Sequence, residues 1–181
     1  MQGRNGILGK PVVGESVPGG LVAGKPVLAL DVDGVVSPLG KDYGDELPRY
    51  DGWVHAMVTG LPFSYDPLLV EWLHEISDGG VAEIVWSSSW GENSNAVSDE
   101  FGLPHLPALD VVSGGRWVAV DEYARGRGLV WCEDARQSAG VRAAVRAREQ
   151  GSLLVQPLRH LGLTAAQRQL ISSWLGEHAG S

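Results

Sequence analysis

Cysteine is nearly absent from this sequence, which contains a single residue of this type, Cys132. One thiol excludes an internal disulfide, so we expect a reducing, cytoplasmic environment. Apolar runs long enough to span a bilayer, about 20 residues, are also lacking. The first residues do not show the basic-then-apolar pattern of an export signal, so neither secretion nor a membrane partner is expected.

Lysine is scarce, and negative charges outnumber positive ones. The three lysines are Lys10, Lys25 and Lys41, so every strong cation after position 41 is an arginine. The formal net charge is −8. This balance argues against a nucleic-acid partner, because nucleic-acid binders gain affinity by neutralising phosphates.

The most informative segment is an apolar strand that ends in acids. The run Val27–Leu30 precedes Asp31, and a second carboxylate follows at Asp33, with Gly34 directly after it. Buried carboxylates must be paired, protonated or metal-bound. Because the carboxyl ends of strands form the ligand crevice of an open α/β sheet, the segment predicts a catalytic site. The alternative is an ordinary strand followed by an Asp-Gly turn.

A second apolar run, Ala82–Trp86, ends in Ser87, Ser88 and Ser89. A serine hydroxyl at this place can donate to a phosphoryl oxygen, and backbone N–H groups at a helix start can assist it. A serine-rich cap before a helix at 92–101 is the alternative explanation, and both can hold together. We expect Ser88 to face a phosphate, with Ser87 as the next candidate.

A third apolar run, Gly128–Cys132, leads into Glu133 and Asp134. Carboxylate oxygens from two separate strands suit Mg²⁺, which keeps part of its hydration shell. Alternatively, these acids occupy the first turn of a helix, where the macrodipole favours negative charge. We interpret Cys132 as a small core residue, because no histidine pairs with it in a recognisable pattern.

In this order, the three segments resemble the motifs of the haloacid dehalogenase-like (HAD) superfamily of phosphotransferases. Its first motif is an apolar strand followed by Asp-x-Asp-Gly. The resemblance extends over residues 26–176, and the chain is similar to small, uncapped HAD proteins of the actinobacterial type. It implies a phosphomonoester hydrolase that depends on Mg²⁺ and acts on a small-molecule phosphate ester.

The resemblance also implies roles for individual residues. Asp31 is the expected nucleophile, forming an aspartyl-phosphate, and Asp33 is the expected general acid and base. The expected Mg²⁺ ligands are Asp31, the carbonyl of Asp33, and Asp134 or Glu133. The acid at position 33 disfavours dehalogenation, because the dehalogenases of the superfamily lack it.

The superfamily also has a Lys or Arg near the start of the helix before its last motif. Arg116 lies closest to the expected place, and Arg125 and Arg127 are alternatives. An arginine there is a departure from the more usual lysine, and an arginine forks onto phosphate rather than acting as a point charge. This departure and the open, uncapped site motivate a second hypothesis, a non-catalytic, regulatory HAD-fold protein. A third hypothesis, which the resemblance also implies, is a phosphotransferase or a phosphatase for RNA ends.

Strands that alternate with helices predict a three-layer α/β fold with a doubly wound, Rossmann-like parallel sheet. We expect a flexible leader at 1–25 and a single HAD-like domain at 26–181, without a separate cap domain. A short β-hairpin flap is expected at 50–60. The other expected elements are helices at 66–79, 118–125, 138–149 and from Thr164, the last burying Leu170, Ile171 and Trp174, and strands at 109–112 and 152–156.

Overall fold

The computed structural model describes residues 24–41, 46–110 and 115–178, so most of the predicted leader lies outside the described residues. In chain order the elements are β1 (Val27–Leu30), β2 (Val54–Val58), β3 (Leu61–Tyr65), α1 (Pro67–Asp78), β4 (Glu83–Trp86), α2 (Asn95–Phe101), α3 (Arg116–Tyr123), β5 (Leu129–Cys132), α4 (Ala139–Arg146), β6 (Ser152–Val155) and α5 (Ala165–His178). The main sheet has the strand order β4-β1-β5-β6, and all of its neighbouring pairs are parallel. The predicted α/β class with a parallel sheet is confirmed.

The core lies on both faces of this sheet, because successive side chains of a strand point in opposite directions. Leu28 and Leu30 face one way and belong to the cluster that includes the buried stripe of α1 and the buried residues of α5. Val27 and Ala29 face the other way and join the cluster of α3 and α4. The sheet is therefore the middle of three layers.

The helices that follow β1 and β5 pack on opposite faces of the sheet. The connection after β1 carries α1, which packs on one face, whereas the connection after β5 carries α4, which packs on the other. Ligands in open α/β sheets bind beyond the carboxyl ends of strands at such a switch point. The two acidic segments of the sequence, Asp31 with Asp33 and Glu133 with Asp134, follow these two strands.

The segment between β1 and β4 contains the predicted hairpin flap. Strands β2 and β3 pair in antiparallel register around Thr59 and Gly60, whose φ angles are 52° and 79°. Two successive residues with positive φ form the tight turn that matches the twist of hairpin strands. In the described part of this segment the hairpin and α1 are the only regular elements, and the absence of a cap domain stays a prediction.

The predicted strand at 109–112 is wrong for the residues that the structure describes. Ala108 forms an isolated bridge with Trp86, and no ladder extends from it over 109 and 110, while 111 and 112 lie outside the described ranges. Pro107 precedes the bridge and has no N–H to donate, which limits the ladder on that side.

Two predicted helices have different bounds from those expected. Helix α3 begins at Arg116 rather than at 118, and α4 ends at Arg146 rather than at 149. The earlier start of α3 places Arg116 in its first turn. None of the helices in the described ranges is long and apolar enough to cross a membrane.

The buried face of α5 differs from the one predicted. The capping box is present, since Thr164 N donates to Oε1 of Gln167 at 3.0 Å. However, Leu170 is 52 % exposed and Trp174 is only partly buried. Arg168 is buried instead, and its guanidinium donates to Oδ2 of Asp66 at 2.8 Å. The buried face of α5 therefore includes Arg168, together with Ile171 and Leu175. The spacing of the aliphatic residues alone does not indicate a buried arginine.

Candidate active site

Asp31 lies at the carboxyl end of β1 and is only 2 % exposed. Its backbone N–H donates to the carbonyl of Cys132 at 3.1 Å, so the pairing of β1 with β5 continues through this residue. The backbone N–H of Val32 donates to Oδ1 at 2.8 Å, and the Ser88 hydroxyl also hydrogen-bonds the carboxyl group. Burial raises the pKa of Asp31 above 3.8, while the charge of Arg116 and the Ser88 hydrogen bond oppose that rise.

The chain turns sharply after Asp31, and Gly34 makes this turn possible. Gly34 has φ of +72°, and its N–H donates to the carbonyl of Ser37 at 2.7 Å. A Cβ at this position would lie 2.6 Å from Cγ of Asp134. Only glycine therefore allows both the backbone conformation and the close approach of Asp134.

Asp33 is held by an aromatic residue from another strand end. The indole Nε1 of Trp90 donates to Oδ2 of Asp33 at 2.9 Å. The ring of Trp90 packs in turn against Phe63 of β3, with 6.2 Å between the ring centroids. The carboxyl group of Asp33 thus has a fixed partner while it remains partly exposed to the cleft.

The serine segment follows β4 and lies directly beside Asp31. Ser87 and Ser88 are both buried, and Ser87 N donates to the carbonyl of Leu30 at 2.7 Å. Ser88 contacts Asp31 through its hydroxyl, as described above. Ser89, which the sequence pattern does not single out, lines the cleft. Phosphate contacts from Ser88 and Ser87 stay a prediction.

Three acids from the ends of β1 and β5 converge. Asp31, Glu133 and Asp134 each offer a carboxylate oxygen, and these atoms all lie within 4.8 Å of one another. Hard oxygen donors at such spacing suit Mg²⁺, so the residues fit this ion. Burial and the nearby charge of Asp31 raise the pKa of Glu133 to about 7. Burial likewise raises the pKa of Asp134, against the charges of Arg159 and Arg116.

Arg116 reaches into this group of acids from the first turn of α3. A single guanidinium nitrogen, Nη1, donates to Oδ2 of Asp31 and, at 2.7 Å, to Oε2 of Glu133. The alternatives lie elsewhere. Arg127 pairs with Glu83 at the amino end of β4, and Arg125 forms an exposed pair with Glu122 at 3.5 Å. Arg116 is thus the candidate that lies at the predicted site.

These residues share an open cleft of about 600 Å³, within the range of small-molecule sites. The predicted residues that line it are Asp31, Asp33, Arg116, Glu133 and Asp134. It is also lined by Arg159, from the loop after β6.

A family model matches residues 27–167, and its description is the HAD domain in Swiss Army Knife RNA repair proteins. The chain belongs to this HAD family. The match begins at β1 and includes the ends of β4 and β5, so every predicted site residue lies inside it. HAD membership supports a hydrolase or phosphatase type of function, and HAD domains generally use Mg²⁺. No curated protein and no solved structure matches the chain.

Two residues of this HAD site, Trp90 and Arg159, do not stand out in the sequence. Trp90 lies three positions after Ser87. An aromatic residue at such a place is as typical of a core contact as of a contact to a site residue. Arg159 is one of nine arginines after position 115. Its only signal is its place shortly after a strand end, at the edge of the sheet where the other site residues lie.

Proposed function

We propose that this protein is a Mg²⁺-dependent phosphomonoester hydrolase that works through an aspartyl-phosphate. The observation that carries the proposal is the position of Arg116 between Asp31 and Glu133, beside the three acids that fit a divalent cation. A buried nucleophilic carboxylate, a cation next to it and a second carboxyl group at the same cleft are the parts that phosphoryl transfer to an aspartate requires.

Asp31 attacks phosphorus, so a bond forms between its carboxylate oxygen and phosphorus while the ester bond to the leaving oxygen breaks. Asp33 donates its proton to that leaving oxygen and becomes a carboxylate. It then takes a proton from water, whose oxygen attacks the phosphoryl group and releases inorganic phosphate and free Asp31. The indole of Trp90 holds Asp33 in place for both proton transfers.

The residues that would hold Mg²⁺ are Asp31 and Asp134, with the carbonyl of Asp33. Bound there, Mg²⁺ supplies positive charge that offsets the repulsion between an anionic nucleophile and an anionic phosphate. Glu133 is hydrogen-bonded to Arg116 and, through its Oε1, accepts from Ala135 N at 3.3 Å. We therefore assign Glu133 mainly to the positioning of Arg116, with metal ligation as its secondary role.

The regulatory alternative is motivated by the absence of the usual lysine. Arg116 supplies a cation at that place, which weakens this motive.

A second candidate substrate, a phosphomonoester at an RNA end, is favoured by the family description, which refers to RNA repair proteins. The absence of a cap over the described part of the cleft also suits a large substrate.

Phosphate release from a panel of phosphate esters and 3′- or 5′-phosphorylated oligoribonucleotides, with and without Mg²⁺, tests the proposal. We expect Mg²⁺-dependent release by the wild-type protein and none by Asp31→Asn, which keeps the size of the side chain but is a poor nucleophile. Release by Asp31→Asn at the wild-type rate would reject the covalent mechanism. A wild-type protein that binds Mg²⁺ but releases no phosphate would favour the regulatory alternative.

A further inference from the structure

Arg159 is a second cationic side chain at the cleft, separate from Arg116. It lies in the loop between β6 and α5 and lines the same cavity as Asp31, Asp33 and Asp134. Arg116 enters from α3, whereas Arg159 enters from the side of β6, which is two strands away from β1 in the sheet. The two arginines therefore approach the cleft from different elements.

Arg159 differs from Arg116 and Arg168 because its charge acts on Asp134 without forming a salt bridge. In the described ranges no carboxylate forms a salt bridge with it, and its buried Nε has no hydrogen-bond partner. By contrast, Arg116 is paired with two carboxylates and Arg168 with Asp66. The buried Nε is closed to solvent, as is that of Arg148, so the outer guanidinium nitrogens of Arg159, which lines the cleft, are the atoms that a ligand can reach.

The backbone around Arg159 is anchored beside the turn that carries the two aspartates. The carbonyl of Arg159 accepts from Leu39 N at 2.8 Å, and the carbonyl of His160 accepts from the Tyr50 hydroxyl at 2.6 Å. Farther along the loop, Leu163 N donates to the carbonyl of Val35 at 2.9 Å. These bonds hold Arg159 at a set place relative to Asp31, as a binding residue requires.

We propose that Arg159 forms a second anion subsite, which binds a phosphate or phosphodiester of the substrate next to the phosphomonoester that is hydrolysed. This inference rests on the proposed phosphatase function. The cleft of about 600 Å³ has room for more than a single phosphoryl group. A guanidinium binds phosphate oxygens through two parallel hydrogen bonds, so a second phosphate is the ligand that suits an unpaired arginine.

The charges at the cleft support the same assignment. Four carboxylates line it, and Arg116 already bonds two of them, Asp31 and Glu133. The charge of Arg159 acts on Asp134 without a salt bridge, so the outer nitrogens of its guanidinium remain available to a ligand in the cleft. A substrate with one phosphate would leave this cation unused, whereas a substrate with two adjacent phosphates would engage it.

The kinetic test compares substrates that carry one or two phosphates. We expect the wild-type protein to prefer adenosine 3′,5′-bisphosphate over both adenosine 5′-monophosphate and adenosine 3′-monophosphate, and Arg159→Gln to lower that preference in kcat/KM about tenfold or more. Arg146→Gln, which changes an exposed arginine at the end of α4, is the matched control and should keep the preference. Equal losses on substrates with one and two phosphates would mean that Arg159 acts only through Asp134, and would overturn the subsite.

A binding measurement separates this inference from the proposed function. In an Asp31→Asn background, which keeps substrates intact, calorimetry with adenosine 3′,5′-bisphosphate should show about tenfold weaker binding once Arg159→Gln is added. Unchanged binding would reject the subsite even if the wild-type protein hydrolyses phosphate esters.

A phosphorylated oligoribonucleotide is the other arm of the kinetic test. A larger effect of Arg159→Gln on it than on the bisphosphate assigns the second anion to a chain phosphodiester, and the reverse assigns it to a free nucleotide.

Discussion

The indole nitrogen of Trp90 donates to Oδ2 of Asp33 at 2.9 Å, and the same ring packs against Phe63 of the hairpin flap. Asp33 is therefore connected to the flap through one aromatic side chain. A proton-transferring carboxyl group must be held within hydrogen-bond reach of its substrate atom, so its orientation matters as much as its acidity. We therefore propose that Trp90 positions this group.

Trp90→Phe removes the hydrogen bond to Asp33 and keeps an aromatic ring against Phe63. Because a hydrogen bond to a charged group is worth about 1.5–3 kcal/mol, we expect kcat to fall about tenfold or more while KM changes little. Steady-state kinetics on one phosphate ester measures both values. Trp53→Phe is the control, since Trp53 packs against Tyr50 and not against Asp33. A change in KM with an unchanged kcat would argue against the positioning role.

The fold could be predicted from the sequence largely because its strands are short apolar runs that end in polar residues. The helix expected at 66–79 carries local signals, since Asp66 caps it and its apolar residues form one buried stripe, Leu69, Trp72, Leu73 and Ile76. The failure at α5 has a different origin. Burial of Arg168 depends on Asp66, which lies 102 positions away along the chain, and periodicity within one helix carries no information about such a partner.

The same distinction applies to the cleft. Asp31, Asp33, Glu133 and Asp134 could be selected because each follows a strand of a recognisable pattern. Apart from its place shortly after β6, nothing local separates Arg159 from the other arginines, because its position at the cleft depends on how the β6–α5 loop packs against the turn after β1. That packing is made of backbone hydrogen bonds, such as the one from Leu163 to Val35, which do not depend on side-chain identity.

Gly34→Ala should destabilise the fold more than a matched change at another glycine with positive φ. Alanine at φ of +72° costs about 1–2 kcal/mol, and its Cβ would also clash with Asp134, which adds about 1–3 kcal/mol. Gly52→Ala is the control, because Gly52 has φ of +80° and no atom within 4 Å of the place that a Cβ would occupy. Urea unfolding of both variants measures the difference. Equal losses would show that Asp134 moves aside freely.

Asp134→Asn should weaken Mg²⁺ binding more than Glu133→Gln does. Asp134 is one of three acids that fit the ion and has no salt bridge among the described residues, whereas Glu133 already bonds Arg116. We expect a loss of about tenfold or more for Asp134→Asn, because removal of one anionic ligand weakens a site with few ligands. Calorimetric titration with Mg²⁺ gives both affinities. If Glu133→Gln has the larger effect, Glu133 is the principal ligand.

Glu83→Gln should remove a contribution to stability that depends on pH. Burial raises the pKa of Glu83, but hydrogen bonds from Arg127 and Tyr123 outweigh it, and the pKa lies below its ordinary value of 4.5. A lowered pKa in the folded state means that the contribution is present above pH 4.5 and is lost as the pH falls through the lowered value.

Urea unfolding of the wild type and Glu83→Gln between about pH 7 and pH 3 measures this contribution. The difference between the two proteins should be largest near neutral pH and shrink in acid. Glu71→Gln, an exposed residue of α1, should show no such trend. A difference that stays constant over the whole range would mean that the charge of Glu83 does not stabilise the fold.

Arg116→Ala should cost at least about tenfold in kcat/KM, because a charge-assisted contact to a phosphoryl group or carboxylate is worth about 1.5–3 kcal/mol. Arg116→Lys should retain most of the activity. A single nitrogen of Arg116 makes both contacts, to Asp31 and Glu133, and an ammonium placed there could make the same two.

Arg125→Ala is the control for Arg116, since Arg125 is an exposed residue whose only carboxylate partner in the described ranges is Glu122. Its kcat/KM should match that of the wild type. Unfolding free energies of the three variants establish that the loss at Arg116→Ala does not come from a disrupted fold. A lysine variant as impaired as the alanine variant would show that the planar fork of the guanidinium, and not its charge beside Asp31, is what the reaction uses.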